Sequence, residues 1–251
     1  MLAIFVGIWA EQLAVEKRIE VLERPDAGAG RLALGSYREK PLVLCRTGMG
    51  EERTQAALSA VFERYAPTAV VSARLAGAVQ DEIRLGQLVF CRRTYLCRRG
   101  APPVIPEKEG DRRLLDLAEL AARNRGLPYV VSEGLTGAPP TAEPVDRPAV
   151  LAKFPVAVVD TEGYWLEQAA AQRGVPFLSV RASLGRAFDR APYSLELGEK
   201  GALDPRKVIA CLLRRPGRVR GFVGLALSMR VAAKGLSRFM GGFLHEWSLE
   251  A

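Results

Sequence analysis

Short runs of Val, Ile and Leu, too apolar for a sheet with one solvated face, recur along the first three quarters of this chain. LAIFVGI opens the series, and PLVLC, TAVVSA, GQLVFCRRTYL, PYVVSE, PVAVVD and PFLSVRA follow. Helical patterns over Glu51–Tyr65, Asp111–Asn124 and Thr161–Arg173 lie between several of them. Strands without polar alternation must be buried on both faces, and the intervening helices supply that cover. The pattern predicts a single-domain, three-layer α/β/α fold around a mixed central sheet, with a helical C-terminal extension. The expected division is an α/β domain over 1–204 and a basic helical extension over 205–251, packed on or appended to the same domain. The Pro/Gly-rich stretches Arg99–Gly110 and Gly134–Pro148 read as surface loops that could close over a ligand.

Charge is unevenly placed. The 251-residue chain carries a net +8, yet Pro205–His245 alone holds nine Lys/Arg and no Asp or Glu, leaving 8 − 9 = −1 for the rest. Cys45, Cys91, Cys97 and Cys211 form no CxxC pair, and His245 is the one histidine. Those counts argue against a zinc site and against Ser–His or Cys–His nucleophiles, so no metal or cofactor is expected. Cysteines in apolar runs read as buried free thiols of a reducing, cytoplasmic protein. The N-terminus lacks a basic n-region and reads as a first core strand rather than a signal peptide. No window holds 18 uncharged apolar residues, so no membrane-spanning helix is expected.

In open α/β sheets, ligands bind beyond the carboxyl ends of the strands. Thr47-Gly48-Met49-Gly50 joins a strand to a helix, where glycines let the backbone approach a ligand closely. A tight strand–helix turn explains the same residues equally well. Arg74-Leu75-Ala76-Gly77-Ala78 ends another strand, and its small residues suit either backbone contact with a flat ring or close packing of strands. Asp160 and Glu162 alternate across a third strand end. A carboxylate there can accept hydrogen bonds from ribose hydroxyls and steady an oxocarbenium-like transition state, or merely complement a helix dipole. Glu11, beyond the first strand, could activate a water or serve as an ordinary first-turn acid.

Taken in order, four motifs resemble the nucleoside phosphorylase/nucleosidase superfamily over roughly residues 1–190. They are Thr47-Gly48-Met49-Gly50, Ala76-Gly77-Ala78 with Leu85-Gly86-Gln87-Leu88-Val89, Val159-Asp160-Thr161-Glu162-Gly163, and Val175-Pro176-Phe177 with Val180-Arg181-Ala182. That group includes methylthioadenosine/S-adenosylhomocysteine nucleosidase, futalosine hydrolase and purine nucleoside phosphorylase. The C-terminal LLRRPGRVRGFVGLALSMRVAAKGL is similar to the basic tail of the adenosylhopane nucleosidases, which remove adenine from an adenosyl lipid.

The resemblance implies N-glycosidic hydrolysis of an adenosyl nucleoside, with adenosylhopane as the candidate substrate. It assigns Glu162 to the ribose, Asp160 and Thr161 to the other positions of that motif, Gly48 to the ribose or nucleophile, and Ala76 and Gly77 to the base. Glu11 would activate water, although an ungapped count puts Gln12 there. The family's base-protonating aspartate falls on Gly185, so Asp189 is the candidate replacement acid. Arg46 and Arg74 are candidate anion ligands for a phosphorylase alternative, while a nucleoside or lipid binder without efficient turnover is the other alternative. A homodimer is the family habit. The basic tail suits an anionic membrane surface, hence a peripheral position at the inner membrane, or it packs on the core with solvated cations. It lacks the aromatic interleaving of a nucleic-acid reader.

Overall fold

A computed structural model of the protein describes residues 1–26, 28, 30–98, 103–106, 108–137, 150–185 and 219–250. Nine strands form one mixed sheet: β1 (Leu2–Val6), β2 (Glu20–Glu23), β3 (Arg31–Tyr37), β4 (Lys40–Arg46), β5 (Ala69–Ala78), β6 (Leu88–Cys97), β7 (Tyr129–Gly137), β8 (Val156–Asp160) and β9 (Phe177–Ser183). Among the described residues the helices are α1 (Trp9–Glu16), α2 (Glu51–Tyr65), α3 (Arg112–Asn124), α4 (Gly163–Gln172) and, after the last strand, α5 (Val219–Glu250). The strand order is β2-β3-β4-β1-β5-β8-β7-β6-β9.

Alternation within the strands fixes the layers. Leu2, Ile4 and Val6 pack with residues of α1, α3 and α5, whereas Ala3 and Phe5 pack with α2 and α4. Both faces are therefore covered, as all-apolar strands require. The sheet is more than a flat middle layer, because β9 also pairs with β5 and closes β5, β8, β7, β6 and β9 into a ring. β5 makes closure possible: Ala69–Ser72 run parallel to β1, while Gly77 and Ala78 pair antiparallel with β8.

Several boundaries differ from the sequence expectation. β7 runs through Gly134–Gly137, because these residues pair with Thr94–Cys97 of β6; the expected loop therefore begins later. Helix α4 starts at Gly163 rather than Thr161, since the Asp160 carboxylate takes the Glu162 and Gly163 N–H groups first. The short helix α1 and the β2–β3 hairpin carry too little apolar periodicity to have been foreseen. Burial pushes the Cys45 and Cys91 thiols up to about 12, so both are inert.

The expected division at residue 204 lies outside the described residues. The last half of α5 belongs to the core. Leu236, Phe239, Met240, Phe243 and Leu244 are fully buried, and Phe239 packs against Phe90 of β6 at 5.2 Å. Arg18 donates to Ser237 and Asn124 to Glu246, tying α5 to the α1 end and to α3.

Candidate functional site

Parallel pairing of β1 with β4 and β5 brings three carboxyl ends to one edge. Gly7 follows β1, Thr47 follows β4 with its N–H on the Val6 carbonyl at 2.9 Å, and Arg74 lies in β5. β8 delivers Glu162 to the same place from across the sheet. The Arg74 guanidinium is the centre of this cluster. Its Nη1 donates to Glu162 Oε2 at 2.8 Å and its Nη2 to Thr47 Oγ1 at 2.8 Å. Glu162 Oε1 accepts from the Gly50 N–H at 2.8 Å and from the Thr161 hydroxyl. Arg74 is 2% exposed and Glu162 3%, so the pair is held in a low-dielectric setting.

A second pair stands beside the first. Arg181 on β9 is the register partner of Arg74, which would set two buried cations side by side. Each is neutralised by its own acid: Arg181 Nε donates to Asp160 Oδ2 at 2.6 Å. Thr136 donates to Asp160 Oδ1 at 2.7 Å, and the same hydroxyl accepts from the Tyr164 N–H. Burial works against the charge on Asp160, yet Arg181, Thr136 and the Gly163 N–H hold its pKa below the ordinary carboxylate value. Gly163 is required here, because a Cβ would fall 2.5 Å from both Arg181 Nη2 and Asp160 Oδ2.

Glu11 is the third buried carboxyl of the cluster. Its Oε2 accepts from the Gly7 and Ile8 N–H groups at 2.6 and 3.0 Å, and its Oε1 from the Leu75 N–H at 2.7 Å. Desolvation raises its pKa against the opposing pull of Arg74 and those three donors. A carboxyl whose pKa is raised is the stronger proton acceptor once ionised. Neighbouring Gln12 keeps its Nε2 on Glu16 at 2.7 Å and leaves Oε1 buried with no partner among the described residues.

Comparison with known proteins places the fold. Residues 3–209 match the profile of the phosphorylase superfamily. The chain belongs to that superfamily. It is 26% identical over 221 residues to the 5'-methylthioadenosine/S-adenosylhomocysteine nucleosidase of Shewanella halifaxensis, covering 78% of this chain and 94% of that protein. The Shewanella sediminis counterpart is 27% identical with the same coverage. Among solved structures, futalosine hydrolase of Helicobacter pylori superposes with a TM-score of 0.74 at 13% identity, covering 98% of this chain and 97% of that one. The Neisseria meningitidis methylthioadenosine/S-adenosylhomocysteine nucleosidase, in complex with methylthio-immucillin-A, gives 0.74 at 16% identity, with 96% and 97% covered. The mixed-sheet α/β fold is that of the nucleosidases.

On this superfamily fold the remaining expected residues fall as follows. Gly48 and Gly50 take φ of +80° and +99°, left-handed values that favour glycine, and they turn the chain from β4 into α2. Ala76 and Gly77 are inside β5; the Ala76 carbonyl accepts the Leu184 N–H at 2.8 Å, and Gly77 pairs with Val159. Arg46 closes β4, and its charge helps lower the pKa of Glu16, after Arg24 and Gln12. Gly185 sits at φ +57° with its N–H on Ser183 Oγ at 2.9 Å. An aspartate there would be strained as well as absent. Asp189 lies outside the described residues.

Glu11, Arg74 and Glu162 thus share one cluster, and Asp160 and Thr161 brace it. Sequence reasoning assigned no role to Gly7, Thr47, Thr136 or Arg181. The available signal was an arginine inside each of two apolar strands, since a buried guanidinium demands a carboxylate partner.

Proposed function

We propose that this chain hydrolyses the N-glycosidic bond of a purine nucleoside, with an adenosyl compound as substrate. Support comes chiefly from one observation: the buried carboxyls of Glu11 and Glu162 flank one guanidinium at the carboxyl ends of β1, β5 and β8. In this reading Glu162 faces the ribose hydroxyls, and Glu11 takes a proton from the attacking water. The C1′–N bond breaks with its electron pair passing to the purine, which takes a proton from solvent as it leaves, while the C1′–O bond to the water oxygen forms. Ala76 and Gly77 line the base.

Gly185 favours a second reading, in which the nucleoside is bound and turned over poorly. Losing a general acid costs on the order of 10²–10⁴ in rate. One experiment separates the readings. The protein is incubated with 5′-methylthioadenosine, with and without phosphate, and free adenine, 5-methylthioribose and 5-methylthioribose 1-phosphate are resolved by chromatography. Adenine with free 5-methylthioribose, independent of phosphate, is the expected result. Base release that needs phosphate would establish phosphorolysis, and nucleoside binding without base release would establish the binder.

The finer proposal is a lipid-linked substrate, adenosylhopane, taken from an anionic bilayer. Val223, Leu227 and Val231 are 53, 59 and 48% exposed at intervals of four along α5, flanked by exposed Arg230 and Lys234. Such a face suits the headgroup boundary, where each cation contributes roughly 1 kcal/mol. Arg230→Glu with Lys234→Glu should weaken flotation with phosphatidylglycerol vesicles by about thirtyfold or more and leave phosphatidylcholine vesicles unaffected. Equal binding by both proteins would dismiss the membrane reading. These substitutions leave the core half of α5 intact, which truncation of the whole tail would not.

A further inference from the structure

We propose that Arg74 decides what this site accepts at its sugar end, by occupying the carboxylate that would otherwise hold the ribose diol. The inference rests on the reading of Glu162 as the sugar ligand. A carboxylate offers about four lone-pair sites. On Glu162 three are taken, by the Gly50 N–H, the Thr161 hydroxyl and Arg74 Nη1. A vicinal diol that needs two acceptors therefore finds one.

The occupation is built into the chain rather than incidental. Thr47 Oγ1 anchors the other arm of the guanidinium at 2.8 Å. Gly7 provides the space: a Cβ there would stand 2.6 Å from Arg74 Nη1. Any other residue at position 7 would thus drive the guanidinium away from Glu162. Arg74 Nε is buried without a partner among the described residues, so the side chain is held by these two contacts rather than by a complete set of five.

Electrostatics adds to the steric argument. Cleavage of an N-glycosidic bond builds positive charge on the sugar, and Glu162 would stabilise it. A guanidinium bonded to that carboxylate cancels its field and repels the growing charge. Arg74 accordingly weakens ribose recognition and slows base loss together. Small substitutions that remove or displace it should improve both, an unusual direction for a change at a buried ion pair.

Calorimetric titration with adenine and with adenosine provides the test, since adenine fills the base position alone. The wild-type protein should bind adenosine within about threefold of adenine. Arg74→Met and Gly7→Ala should each tighten adenosine by about tenfold, the equivalent of one charge-assisted hydrogen bond, while adenine affinity stays within about twofold of wild type. Base release from adenosine should rise in the same two variants. Gly7→Ala keeps both charges and moves only the far end of a flexible side chain, so it answers the question even where Arg74→Met fails to fold. A wild-type protein that already prefers adenosine tenfold, or variants with unchanged preference, would overturn the role of Arg74 and leave the nucleoside site standing. If neither adenine nor adenosine binds any of the three proteins, the nucleoside reading itself falls, and this proposal with it.

Discussion

Glu162→Ala should lower stability by about 3–5 kcal/mol, the usual cost of breaking a buried ion pair by removing one partner. The reason is what the substitution leaves behind. Arg74 would stay 2% exposed with Thr47 as its remaining acceptor among the described residues, and the Gly50 N–H and Thr161 hydroxyl would lose theirs. For a chain of this size that loss corresponds to a fall in Tm on the order of 10 °C. Removing both charges should be milder than removing one. Arg74→Met with Glu162→Ala should therefore recover part of the stability lost by Glu162→Ala alone, which a double-mutant thermal denaturation cycle measures. Base release should be lost in the single and the double variant alike. If the two stability losses simply add, the pair is not a coupled unit, and Glu162 is held by Gly50 and Thr161 alone.

The layers of this fold were legible because their cause is local. LAIFVGI and TAVVSA carry no polar alternation, so their strands had to lie between helices, and Leu2, Ile4, Ala3 and Phe5 do face opposite layers. Closure of the ring was not legible. It depends on β5 leaving β1 after Ser72 and taking up β8 at Gly77, a change of partner that no periodicity in AVVSARLAGA records. The acids of the site were found from their spacing, since Asp160 and Glu162 sit two residues apart at a strand end. Their partners needed pairing information. Arg74 and Arg181 are 107 residues apart in sequence and adjacent in register, so that two arginines and two acids form two crossed pairs only once β5 and β9 are known to pair. Gly7 shows the same limit at its sharpest. It looked like a strand end, and its missing Cβ is what admits a guanidinium from another strand.

Glu167→Gln should stabilise the protein more as pH rises, with the gap over wild type opening between about pH 5 and pH 9. Glu167 lies on α4, 4% exposed, and burial pushes its pKa from 4.5 to about 8 against the pull of the Arg181 charge. Its two carboxyl oxygens, the Thr94 hydroxyl, Ser179 Oγ and Arg181 Nη2 all lack hydrogen-bond partners among the described residues. The sign follows from proton linkage. Between 4.5 and about 8 the folded protein holds a proton on Glu167 that the unfolded chain has released, so folding loses stability as pH climbs through that window. The full span corresponds to roughly 5 kcal/mol, at about 1.4 kcal/mol for each pH unit. Glutamine keeps the shape and never ionises. Wild type and variant should therefore unfold at similar temperatures at pH 5 and differ by on the order of 10 °C at pH 9. Glu11, whose pKa is also raised, contributes a slope of the same sign to both proteins and cancels in the difference. Asp160 acts in the opposite sense, since its contribution is present above its unfolded pKa near 3.8 and is lost only as pH falls below it, outside this range. Parallel stability curves from pH 5 to pH 9 would mean that Glu167 ionises in the folded protein as it does in water, and that its surroundings on α4, β6 and β9 admit enough solvent to support the charge.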